Sequence, residues 1–223
     1  MNGPHDIGGH HGFGPVDPAA NDAPYHPGAE DWEERAMALT VASGFGGHWT
    51  IDESRFARED RHPLDYHSLG YFGIWLAGLK RLLVERNLVT EDELAGGPLR
   101  NDTAAPNPPL PAAKVPAALA RGGPVDRDPG PIKPIFSPGD RVRTRNIQPR
   151  GHTRLPAYAR DKVGRIETVQ GYHAYADDSA RGDRAAAHWL YTVVFDATVL
   201  FGDAAATGDT VTIDAWEPYL ERL

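Results

Sequence analysis

Two arginine-bearing segments hold the side chains best suited to chemistry. "DESRFAREDRHPLDY" carries Arg55, Arg58, Glu59, Asp60 and Arg61, and "PRGHTRLPAYARDKVG" sets Arg150, His152, Arg154 and Arg160 among Leu155, Pro156 and Tyr158. A guanidinium stays charged and donates through a planar fork. Fixed in a structured loop, it suits a stationary anionic target. The first segment also reads as a solvated, salt-bridged helical face, with Arg55 beside Phe56 allowing a partly buried guanidinium. The second also reads as a surface loop; an RNA-binding loop is disfavoured by a formal charge of -8.

A third cluster opens the chain. "MNGPHDIGGHHGFGPV" contains His5, His10 and His11. Imidazole binds metals, but a site needs three or four donors on rigid supports. Adjacent histidines in a Gly-rich arm point apart. The favoured reading is an arm packed on another chain, its histidines acting as hydrogen-bonding groups. A free arm could not offset the ordering entropy of its glycines.

Other chemistries are absent from the pattern. The 223 residues include no cysteine, which removes disulfides, thiolate ligands and thiol nucleophiles from this chain. Ser, His and Asp occur in no nucleophile elbow. "GGHHGFG" follows no strand and opens no helix, so it fails as a dinucleotide loop. No apolar run approaches the roughly 20 residues of a membrane span, and no signal peptide is visible. The expectation is a cytoplasmic protein that binds neither nucleic acid nor membrane.

These segments need elements to position them. "AEDWEERAMALTVASG" reads as a helix with Trp32, Ala36, Met37 and Leu39 near one face, capped at Gly44. "SLGYFGIWLAGLKRLLVERNLV" places Phe72, Trp75, Leu76, Leu79, Leu82 and Leu83 at helical spacing. Thr90 and Glu93 form a capping box for a short helix. Residues 96–139 hold 11 of the 20 prolines, which implies an extended crossing with one short helix near "VPAALARGG". Then the period changes to two. "GDRVRTR", "KVGRIETV", "HWLYTVVF" and "DTVTIDAW" read as strands of a small barrel closed to avoid exposed edges. The expected class is α+β: an arm over 1–28, a helical domain over 29–95, a Pro-rich crossing over 96–134 and a β-domain over 135–223.

The motifs together resemble the nitrile hydratase β-subunit family. The opening sixteen residues look like its N-terminal arm, "DESRF" with Glu59, Pro63 and Tyr66 like its helical arginine segment, and Tyr71, Phe72 and Trp75 like its aromatic helix. "GHTRLPAYAR" is similar to its second arginine segment and "WEPYLE" to its C-terminal strand. The likeness runs collinearly along the whole chain. It departs at Gly73 and Ile74, at "REDRHP", and at Asp161, where a glycine is usual.

The resemblance implies a helical N-terminal domain with a long arm and a C-terminal SH3-like β-barrel. It implies an enzyme that hydrates small nitriles to amides as a complex with an α subunit, an αβ heterodimer or α2β2. The cofactor would be cobalt(III) or iron(III), held by partly oxidised cysteines of the α subunit. By the same likeness, Arg55 and Arg154 reach those cysteines. Tyr71 matches a tyrosine near the substrate pocket, or is an ordinary aromatic of an amphipathic helix. Trp49 and Ile51 would line the β side of the pocket, and His152 would orient the Arg154 loop or close a turn. A thiocyanate-hydrolase-like subunit and a non-catalytic carrier of the α subunit are the alternatives.

Overall fold

The computed structural model describes residues 2–14, 31–100 and 110–223. It forms two compact units, one from His10–Gly122 and one from Met1–Gly9 with Gly123–Leu223. Residues 15–28 of the expected arm, 29–30 of the expected helical domain and 101–109 of the expected crossing lie outside the described residues.

The first unit contains α1 (Asp31–Phe45), α2 (Ile51–Glu59), α3 (Pro63–Ser68), α4 (Gly70–Glu85), α5 (Glu91–Leu94) and α6 (Val115–Arg121). Helix α2 starts at a capping box: Thr50 Oγ1 accepts from the Glu53 amide at 3.0 Å, and the Glu53 carboxylate accepts from the Thr50 amide. Asp52 and Glu53 also place negative charge at the positive end of the helix. Arg86 ties this end to α4, pairing with Glu53 and donating to the His48 carbonyl at 3.1 Å. The core beneath is Trp49, Ala57, Leu79 and Leu82. The Thr90–Glu93 box forms as expected.

Helix α1 corrects the sequence reading twice. It runs past Gly44 to Phe45, because the Gly46 amide still reaches the Ala42 carbonyl; the left-handed glycine is Gly47, at φ +74°. Its buried residues are Ala36 and Thr40, one turn apart, while Trp32 and Leu39 stay exposed. The helix buries one narrow stripe, not the broader face that periodicity suggested.

In the second unit, β1 (Arg141–Thr144), β2 (Val163–Ala174), β3 (Ala187–Asp196), β4 (Thr210–Trp216) and β5 (Leu220–Arg222) form an antiparallel sheet in the order β4-β3-β2-β1-β5. Short helices α7 (Ala176–Ser179) and α8 (Ala197–Phe201) follow β2 and β3. Tyr191, Val193 and Phe195 alternate into a core shared with Phe136, Val142, Leu155, Ile166 and Tyr219. Residues Val125–Arg127 extend the sheet beside the end of β2, where the Arg127 amide donates to the Tyr172 carbonyl at 2.7 Å.

The helical N-terminal region and the C-terminal antiparallel sheet form as expected; the hydrogen-bonded ladder runs from β4 to β5 without closing on itself. It is nonetheless strongly curled. Four strand spacings across a flat sheet come to about 19 Å. The turn Glu217–Tyr219 joins those two edges directly, and four residue steps reach at most ~14 Å. This turn carries Tyr219 into the core.

Helix α2 meets α4 at Gly78. A Cβ there would lie 2.6 Å from Arg58 Cγ and 3.2 Å from its amide nitrogen. Gly78→Val is expected to push the helices apart and destabilise the chain by about 1–3 kcal/mol, read as a lower urea midpoint.

Candidate functional site

On α2, Arg55 is held by Asp52, Nη1 to Oδ1 3.1 Å, with the arginine side chain 40% exposed and the aspartate 8%. The guanidinium is thus held at one terminal nitrogen while the side chain stays partly open to solvent. One turn on, Arg58 donates Nε–H to the Ser54 carbonyl at 3.0 Å and lies 4.6 Å over the Trp75 ring. Burial pushes its pKa down, and Arg55 adds repulsion. Sequence spacing did not separate this stacked arginine from its solvated neighbours. The tight passage at Gly78 is what brings it against α4. Tyr71 is exposed and packs edge-on against Phe72, with its ring 5.6 Å from Trp75. Trp49 lies in the helical core at 4% exposed, whereas Ile51 faces outward at 55%.

In the second unit, the segment from His152 to Pro156 is buried except for Arg154. The cause is a polar knot. The Tyr219 hydroxyl, fully buried, donates to Asp177 and receives Thr153 Oγ1–H and the Arg154 amide, each at 3.1 Å. Asp177 also bonds the Tyr175 hydroxyl. Burial raises the carboxyl pKa of Asp177, opposed by its hydroxyl partners and by nearby His152.

A second set of contacts grips the same loop. Arg160, 6% exposed, donates to Leu155 O at 3.0 Å, to Gln148 Oε1 at 2.9 Å, and to Asn2. Asp6 Oδ2 accepts from the Ala157 amide at 2.9 Å, and Gly8 lies so close to the Tyr158 ring that a Cβ would be 2.7 Å away. Residues 2–9 therefore pack on their own chain, against the expectation that the arm lacks a local surface. His10 and His11 are exposed. Among the described residues, no three His, Asp or Glu side chains converge as a metal site.

The comparisons with known proteins fall on the same segments. Residues 1–120 match the family model described as nitrile hydratase beta subunit, N-terminal, and residues 124–222 match its C-terminal counterpart. The chain belongs to the nitrile hydratase β-subunit family. The nitrile hydratase subunit beta of Pseudomonas putida is 34% identical, over 99% of both chains. The low-molecular weight cobalt-containing nitrile hydratase subunit beta of Rhodococcus rhodochrous is 30% identical, again over 99% of each. Thiocyanate hydrolase of Thiobacillus thioparus matches less: its alpha subunit is 32% identical over 40% of this chain and 73% of its own. A solved apo-enzyme chain of that protein covers 41% of this chain and 78% of its own, at 30% identity and a TM-score of 0.40.

The family departure at Asp161 has a visible local form. Asp161 takes φ +55°, a left-handed backbone that glycine adopts at least cost, and pairs with Arg143 at 3.0 Å. The arginine loop thus keeps its turn without the glycine.

Arg160→Met should leave Leu155 O and Gln148 short of a buried donor. The expected loss is about 1–3 kcal/mol, seen as a lower urea midpoint and faster proteolysis within residues 2–9.

Burial, with nearby carboxylates, pushes the Tyr175, Tyr191 and Tyr219 hydroxyls above the ordinary tyrosine pKa. The unfolded chain releases these protons near pH ~10, while the native chain retains them. Stability is therefore fully present below about pH 10 and falls as pH rises further. An ultraviolet tyrosinate titration should show these three ionising only on unfolding.

Proposed function

We propose that this chain pairs with a cysteine-bearing α subunit as an αβ heterodimer, a unit able to double to α2β2, and that the complex hydrates small nitriles to amides. The observation that carries the reading is Arg154. It is the one residue of 152–156 that is not buried, and it stands in a loop within the region that matches the family. With no cysteine in 223 residues, the thiol-derived ligands of the metal would belong to the partner. The donor chemistry fits that division, since arginines are the right groups for oxidised sulfur but not for a metal cation.

The metal, cobalt(III) or iron(III), would act when bound as a Lewis acid toward the nitrile and water. This chain's own work is to supply cations that neither titrate nor drift. Arg55 is steered by Asp52, and Arg154 is carried on backbone held by Tyr219. Each guanidinium would offer parallel N–H donors to the oxygens of oxidised cysteines, fixing them beside the metal. Exposed Tyr71, braced by Phe72 and Trp75, is the group we assign to the substrate pocket; Ile51 is exposed enough to join it, and Trp49 supports it from the core. Residues 10–14 and the Pro-rich crossing would contact the α subunit. The curled sheet is read as an SH3-like barrel whose closure is made by the Glu217–Tyr219 turn.

A thiocyanate hydrolase reading is weaker, because its subunits match only part of this chain.

Arg55→Lys or Arg154→Lys, expressed with the α subunit, keeps the charge and loses the fork. Each is expected to lower nitrile turnover by about 10–100-fold while ultracentrifugation still shows the complex. Wild-type turnover in both variants would refute the role given to these arginines.

A further inference from the structure

We infer that Tyr219 and Asp177 are positioning residues for Arg154, a role that rests on the function proposed for that arginine. The phenol is the junction of this network. A tyrosine hydroxyl has one proton and two lone pairs; here the proton goes to Asp177, and the lone pairs take Thr153 Oγ1–H and the Arg154 amide. One of its bonds is therefore to the backbone of Arg154, the one residue of 152–156 that is not buried.

The three elements that meet at this atom are distant in sequence. Tyr219 comes from the turn joining the sheet edges, Asp177 from the first turn after β2, and Arg154 from the loop before it. Each is tied independently to the sheet, so the oxygen transmits the position of the whole sheet to one amide. Packing alone does not require this. The Tyr219 ring already fills the core beside Tyr175 and Trp216, and phenylalanine would fill it equally. The hydroxyl and the buried carboxylate are justified only by what they hold. Asp177 orients the phenol, because its carboxylate can only accept; the lone pairs are thereby turned toward Thr153 and Arg154.

Removing the hydroxyl deprives the Arg154 amide of this partner and lets the arginine root shift. A misplacement of about 1 Å near a reacting centre can cost about 100-fold in rate; a partial shift here should cost about 10-fold.

The test compares Tyr219→Phe, Asp177→Asn and Arg154→Lys, and each of the first two combined with the third, in the full αβ complex. Tyr219→Phe is expected to lower kcat about 10-fold with little change in KM, and to add no further loss on the Arg154→Lys background. In the same complex, hydrogen–deuterium exchange should accelerate in the peptide spanning residues 150–156 and stay unchanged in β3. Asp177→Asn keeps the shape of the site and should show the same pattern more weakly; it decides the matter if Tyr219→Phe does not assemble. Unchanged kcat, an equal fold-loss on both backgrounds, or exchange rising throughout the sheet would overturn the positioning role. Wild-type turnover in Arg154→Lys would instead overturn the function assigned to Arg154, and this inference with it.

Discussion

A cation can hold an anion in one place only if the backbone beneath it does not move. Under the function proposed for Arg154, that condition is met at one buried oxygen. The Tyr219 hydroxyl joins Asp177, Thr153 and the Arg154 amide, and the surrounding structure serves that junction. The curled sheet brings the β4–β5 turn inward, the core packs the ring, and burial pushes the Tyr175 and Tyr219 hydroxyls above the ordinary tyrosine range. A buried polar network of this kind is favourable only when every member is satisfied. That constraint explains why His152, Thr153, Leu155 and Pro156 are buried around an arginine that is not.

The two arginine sites solve the same problem by different means. On α2 the scaffold is a regular helix, and a single aspartate three residues back steers Arg55. The helix itself supplies rigidity, anchored by its capping box and by the Arg86–Glu53 pair. Around Arg154 there is no regular element, so rigidity comes from tertiary hydrogen bonds. Arg160, in the same loop, is buried and binds backbone and amide oxygens of its own chain.

The N-terminal residues join this arrangement. Asn2, Asp6 and Gly8 contact Arg160, Ala157 and Tyr158, whereas Tyr219 holds Thr153 and Arg154. The glycines permit the close approach, and the contacts offset the entropy of ordering them. The loop is consequently fixed from both flanks, by residues from the beginning and the end of the chain.

Much of this was legible in the sequence. Helical spacing located α4, the Thr90–Glu93 box located α5, and period-two runs located the strands, because each signal is local and needs no distant partner. Collinear motifs carried the family. Three things were not legible. The buried face of α1, the open edges of the sheet and the stacking of Arg58 on Trp75 each depend on which surfaces meet, and periodicity does not encode that. "WEPYLE" marked a strand but gave no sign that its tyrosine would reach an amide 65 residues away. The sequence by itself determined the elements, the charge and the chemical groups available, since these follow from residue type and short-range spacing. Only the tertiary structure decided which arginine is buried, which stays partly open, and what holds the backbone beneath it, since a hydrogen bond between distant residues exists only once the chain has closed around it.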